Sequence, residues 1–326
     1  MISLTADFYQ GEQGKLFRLI RTPEKIYGQI LFVAPLFEEA NQTRHIITKV
    51  ANQAYNLGYR SVVYDHFGTG DSEGDLFQCN LSAWRQDIIN QLKAMKQQSS
   101  SPVTLSVSLS AGLLLHADII NEVDYVHCWQ VELNGARFVR QLKRLALAAD
   151  MENDTAVEQD VINHQGGKQK IDNPKEVTVI AGYEIPNTLL QQLAEQNIST
   201  DRLEGQQCTY QSGCHWFEWL RAEQEISSAR AKQLSQCQQA FSTKIKFHSM
   251  NESKFWQATE LIDSPQLLID TKQIFHEQLE STYLNAQDIN QENTSSIQQA
   301  EKSIVKPIAK SIVKSTVQDN SGISDD

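Results

Sequence analysis

Val103 to Ala117 reads VTLSVSLSAGLLLHA, an apolar run that meets three serines and then turns apolar again with small residues at its start. A serine on a sharp strand-to-helix corner is exposed at its apex. There it can attack an acyl carbon if a base removes its proton. The corner is strained, so the residues two positions to either side must be small. Ser106-Val107-Ser108-Leu109-Ser110 fits that frame with serines flanking Ser108, which makes Ser108 the candidate nucleophile. Ser110, with Gly112 behind it, is a second candidate in a shifted frame. The plain alternative is that small serines merely let a strand and a helix pack closely.

A serine nucleophile needs an oxyanion hole, an acid and a base. APLFEEAN (Ala34 to Asn41) follows an early strand, where one oxyanion donor originates, so the N–H of Leu36 or Phe37 can pair with that of Leu109. The acid is expected after the strand CHWFEW, where LRAEQE offers Glu223 or Glu225. The base is expected after KIKFHSM, but NESKFWQ follows and contains no histidine. His248 within that strand is the remaining candidate, and a strand histidine is more often packed than catalytic. Without a base the hydroxyl stays protonated, forfeiting a factor of roughly 10²–10⁴.

The elements that must position these groups alternate. GQILFVAPLF is a continuous apolar run, as in a strand buried on both faces, and NQTRHIITKVANQAYNLGY carries helical periodicity up to Gly58. RSVVYDHFGTGDSEGD is a strand running into a Gly/Asp/Ser loop. SAWRQDIINQLKAMKQQ is an amphipathic helix with Ser82 as its expected N-cap. VTLSVSLS, AGLLLHADIIN and VDYVHCWQV continue as strand, helix and strand. This order predicts an α/β fold, a mostly parallel sheet with helices on both faces. KEVTVIAGYEIPNTLLQQLAEQ reads as a further strand and helix.

The expected domain covers residues 1–282, with a helical lid insertion at about 134–172. In the lid, Arg137, Arg140, Lys143 and Arg144 form either a solvated face or a basic lip over the pocket. Residues 283–326 are rich in Gln, Ser, Asn and Lys, repeat KSIVK, and read as a disordered tail. A basic segment for a membrane surface or a partner is the lesser reading of that tail.

A formal charge of −11 excludes a nucleic-acid backbone as the main partner. No apolar run reaches the roughly 20 residues of a membrane helix, and the N-terminus lacks a signal-peptide pattern, so a cytoplasmic protein is expected. Five scattered cysteines without a CxxC pair read as reduced. Cys208, Cys214 and His215 are a weak zinc pattern, and no metal or other cofactor is expected.

Several long stretches in order, APLFEEANQTRH, YDHFGTGDSEGD, CWQVELNGARFVRQLKRLALAADM, VIAGYEIP and KFWQATELIDSPQLLIDT, resemble the second group of exosortase-A-system-associated hydrolases. The resemblance covers roughly Gly28 to Phe275. It implies the α/β-hydrolase fold and a link to exopolysaccharide synthesis and PEP-CTERM protein sorting, whose proteins would be the partners. Two functions follow. One is a serine hydrolase or acyltransferase acting on a small ester or thioester. The other is a catalytically degenerate, hydrolase-fold binding or scaffold protein.

Overall fold

The structure is a computed structural model, described for residues 3–160, 177–197, 213–221, 224–240, 244–258 and 260–282. Glu223, Cys208 and the expected tail over 283–326 lie outside the described residues. Contacts divide the chain into a unit Met1–Phe275 and a unit His276–Asp326. The following concerns the first.

Eight strands form one sheet: β1 (Leu4–Gln10), β2 (Lys15–Arg21), β3 (Gly28–Val33), β4 (Tyr59–Tyr64), β5 (Val103–Ser108), β6 (Tyr125–Trp129), β9 (Cys214–Trp219) and β10 (Ile245–Met250). Their spatial order is β1-β2-β4-β3-β5-β6-β9-β10. The β1–β2 and β2–β4 pairs are antiparallel, and the pairs from β4 through β10 are parallel. All six residues of β3, of β5 and of β9 are buried, as strands covered on both faces require.

Helix α1 (Glu38–Asn56) buries Thr43, Ile46, Ile47, Val50, Ala51 and Ala54, a stripe at three- and four-residue spacing. In α2 (Leu81–Gln98) the stripe is Leu81, Trp84, Ile88, Leu92 and Met95. The cap of α2 is Asn80, whose side-chain oxygen accepts from the Ala83 N–H at 2.8 Å, so Ser82 falls inside the first turn. The expected helix after β5 is instead a 3-10 stretch, Leu109–Leu114, and a short α3 (Ala117–Ile120). Between β6 and β9 lie α4 (Gly135–Asp160), β7 (Val177–Ile180), β8 (Tyr183–Pro186) and α5 (Asn187–Ala194). The strand expected there is thus a hairpin. Ala181 at φ 47° and Gly182 at φ 84° make the two-residue turn whose twist matches antiparallel strands. Helix α6 (Ser228–Ala240) separates β9 from β10, and a last helix starts at 265.

Three histidines line up on neighbouring strands. The rings of His127 and His215 lie 5.4 Å apart, and His215 Nδ1 is 3.0 Å from His248 Nε2. Burial, and then His248 and Lys246, lower His215 to about 3, and burial also drives His127 well below 6.5. His66 is lowered by burial to about 4. For these groups the unfolded chain takes up protons first, so stability falls as the pH drops from about 6.5 toward the folded values. Asp87, raised by burial to about 6, and Glu39, also raised by burial, work in the opposite direction. Three groups against two leave a net loss of stability between pH 7 and pH 5. Urea midpoints at the two pH values measure it. His215→Gln flattens the difference, and greater stability at pH 5 contradicts it.

Candidate functional site

Strand β5 stays extended through Ser108, at φ −129° and ψ 142°, and the corner falls at Leu109, at φ 48°. The turn therefore comes one residue later than the sequence frame expects. Ser108 is 2% exposed at the strand end and does not line the pocket above the corner, whereas the Leu109 side chain does. A bulky side chain at positive φ is strained by about 1–3 kcal/mol, and neighbouring strand ends repeat the device. Phe37 after β3 has φ 57° and ψ −132°, and Gln130 after β6 has φ 49°.

The residue after the corner contributes the N–H that would hold an oxyanion. Here the Ser110 N–H donates to Glu39 Oε2 at 3.0 Å. The second donor expected at this place, the Leu36 N–H, donates to Ser110 Oγ at 2.8 Å. Both donors are engaged by side chains of the protein itself. Burial holds the Glu39 carboxyl above its usual range, against the lowering effect of the Ser110 hydroxyl and N–H, and the charge of Glu132 adds to the rise. Phe37, the alternative donor residue, is buried and stacks edge-on against Tyr183 at 6.0 Å.

Above Leu109 lies a cavity of about 240 Å³ whose walls come from the C-terminal ends of the central strands. Glu39, Glu132 and Glu218 line it together with Arg137, Arg230, Lys254 and Trp256. Its carboxylates are satisfied internally. Glu132 accepts from the N–H groups of Leu133 and Asn134, each at 2.8 Å, and from Arg137 at 2.7 Å. Glu218 accepts from Arg230 Nε at 3.0 Å, from Trp216 Nε1 at 2.9 Å and from Gln130 Nε2 at 2.9 Å. Gln130 also takes the Trp219 N–H at 2.6 Å, which ties its strained corner to β9. A more open cleft of about 770 Å³ shares Lys254 and Gln257 with this cavity.

The other predicted site residues are dispersed. His248 is held in β10 against His215 and stacks on Phe217 at 4.6 Å, and it does not line the cavity. Glu225 is exposed and also lies off the cavity wall. No histidine lines the cavity among the described residues. His66 belongs to the 65–74 loop, where its Nε2 faces Ala34 O at 3.2 Å. The polar groups of that loop bond to one another and to α1. Asp65 accepts from Asp71 N at 3.0 Å and from Arg44 at 2.8 Å, and Gly70 at φ 55° leaves no room for a Cβ beside the Asp65 carboxylate.

The residues that sequence reasoning missed are Glu39, Glu132, Glu218 and Arg230. The clearest available signal was Glu218, a lone acid inside the apolar run CHWFEW. A charge in a strand buried on both faces needs a buried partner.

No family model matches the chain. Among curated proteins it is similar to the mitochondrial palmitoyl-protein thioesterase ABHD10 of Rattus norvegicus, 30% identical over 64 residues, and of Mus musculus, 31% identical over 64 residues. Each match covers 20% of this chain, which spans about a fifth (21%) of those relatives' length. Among solved structures, the esterase Est1E from Butyrivibrio proteoclasticus with bound ferulic acid superposes with a TM-score of 0.58 at 12% identity. That match covers 84% of this chain and 100% of the other. Mouse alpha/beta hydrolase domain-containing protein 10 gives 0.51 at 13% identity, over 84% of this chain and 99% of that one. No helix among the described residues is long and apolar enough to cross a membrane. With its sheet order, its strand-to-helix corner and these structural likenesses, the chain has the α/β-hydrolase fold.

Proposed function

We propose that this chain binds a small polar molecule in the cavity over Leu109 and forms no acyl-enzyme. The observation that carries this reading is the corner itself: its apex residue is a leucine, which has no nucleophilic atom. The surroundings support it. The N–H groups of Ser110 and Leu36 already hold side-chain oxygens, and no imidazole lines the cavity among the described residues. The link to exopolysaccharide and exosortase proteins rests on the sequence resemblance. A cytoplasmic setting suits Cys79, Cys128, Cys214 and Cys237, which are free and buried.

Hydrolysis of an ester or thioester through Ser110 is the second reading. It is favoured by the hydroxyl's place between the Leu36 N–H and the Glu39 carboxyl, and by the short likeness to the thioesterases. In that chemistry Ser110 Oγ attacks the acyl carbon, its proton passes to Glu39, and the alcohol or thiol leaves before water cleaves the acyl-serine. Ser110 is 0% exposed, so the corner would first have to open.

Steady-state hydrolysis of p-nitrophenyl butyrate separates the two readings. The binding reading expects no saturable turnover by the wild type and no change in Ser108→Ala or Ser110→Ala. Saturable turnover lost in Ser110→Ala establishes the hydrolase instead. Turnover lost in Ser108→Ala restores the nucleophile expected from the sequence.

A further inference from the structure

Between Gly135 and Ala149 the sequence GARFVRQLKRLALAA holds four cations and no acid, and the five acids of α4 all follow, from Asp150 to Asp160, in a chain whose formal charge is −11. This segment is the first part of α4, at the rim of the cavity, where Arg137, Phe138 and Gln141 contribute to the lining. Phe138, Val139, Leu142 and Ala146 are its buried stripe. At about 100° per residue, Arg140, Arg144 and Leu147 fall on the opposite side of the helix, with Lys143 on the flank.

Arg137 is tied to Glu132, whereas Arg140, Lys143 and Arg144 are exposed and make no ion pair with a described residue. Leu147 is 63% exposed and Leu145 is 56% exposed. Strand β7, which packs against α4, adds Val179 at 50%. Glu184 on β8 is the acid exposed in the same hairpin.

A solvated helix face needs no large exposed leucines, and a polyanion such as RNA would be served by the cations alone. Cations flanking the protruding Leu147 match a surface that is negative outside and apolar just beneath, with guanidinium and ammonium groups on phosphates and Leu147 below them. We infer that the outer face of the first half of α4, from Arg140 to Leu147, docks on an anionic phospholipid surface and turns the cavity mouth toward it. The docking is independent of whether the cavity turns its ligand over.

The test is co-sedimentation of the full chain with vesicles of zwitterionic phosphatidylcholine alone or mixed with phosphatidylglycerol. The wild type is expected to bind the mixed vesicles only, and to be released by high salt. Arg140→Glu with Arg144→Glu is expected to lower partitioning at least about tenfold at an unchanged melting temperature. Leu147→Ser lowers it by a smaller factor, and Lys310→Glu with Lys314→Glu in the C-terminal segment leaves it unchanged. Four results overturn the inference: no binding by the wild type, equal binding to both vesicle types, α4 variants that bind like the wild type, or loss of binding in the C-terminal variant.

Discussion

Arg230→Ala is expected to destabilise the fold by roughly 3–5 kcal/mol, a large part of the 5–15 kcal/mol that holds a typical domain together. Arg230 is 9% exposed and Glu218 is 4% exposed. The guanidinium donates to both Glu218 oxygens at 3.0–3.1 Å, reaches Val131 O at 2.8 Å, and lies over the Trp216 ring at 5.1 Å. Truncating it leaves the Glu218 carboxylate in a buried strand with only the neutral donors of Trp216 and Gln130. Most of the expected loss is that uncompensated charge. Glu218→Gln combined with Arg230→Met removes the charge, keeps an oxygen for the Trp216 N–H and fills the space, so the double variant should recover most of the stability. Urea denaturation of the two variants checks this. A loss below about 1 kcal/mol for Arg230→Ala would mean that water reaches the pair.

Leu109→Ser places a hydroxyl at the corner and still should not produce an efficient esterase. The new serine would sit where the fold presents a nucleophile, but no histidine lines the cavity among the described residues, and the oxyanion donors face Glu39 and Ser110. Lacking general-base assistance, acylation should run roughly 10²–10⁴-fold below a complete triad. Leu109 is 4% exposed, so the exchange also removes buried apolar surface worth about 2–3 kcal/mol. Stopped-flow acylation with p-nitrophenyl acetate measures the rate. A burst at triad-like speed would show that a base reaches the corner from outside the cavity lining.

The sequence made the scaffold legible because its signals are local. Apolar runs such as GQILFV and VTLSVS mark strands buried on both faces, and the stripes of α1 and α2 follow helical spacing. The hairpin at Ala181-Gly182 reads in sequence as a single strand, because a two-residue turn interrupts the apolar pattern for only two positions. The site was far less legible. Whether Ser108 or Leu109 forms the corner depends on where β5 stops pairing with β6, and Ser108 is still in register with Trp129. No periodicity in β5 records that.

Glu39 was hidden for a different reason. In sequence it is one of two acids at the start of α1, where acids are favoured by the helix dipole. Only the approach of Ser110, 71 residues away, turns it into a half-buried, hydrogen-bonded group on the cavity wall. The histidines misled in the same way. His215 and His248 look available in sequence, but parallel pairing of β9 with β10 sets them against each other.

On the proposed binding function, the corner of this hydrolase fold carries no activated nucleophile. Intact-mass measurement after exposure to a fluorophosphonate probe tests it most directly, in protein shown to be folded by its melting transition. The expected result is an unmodified mass. A stoichiometric adduct that maps to Ser108 or Ser110 would contradict it.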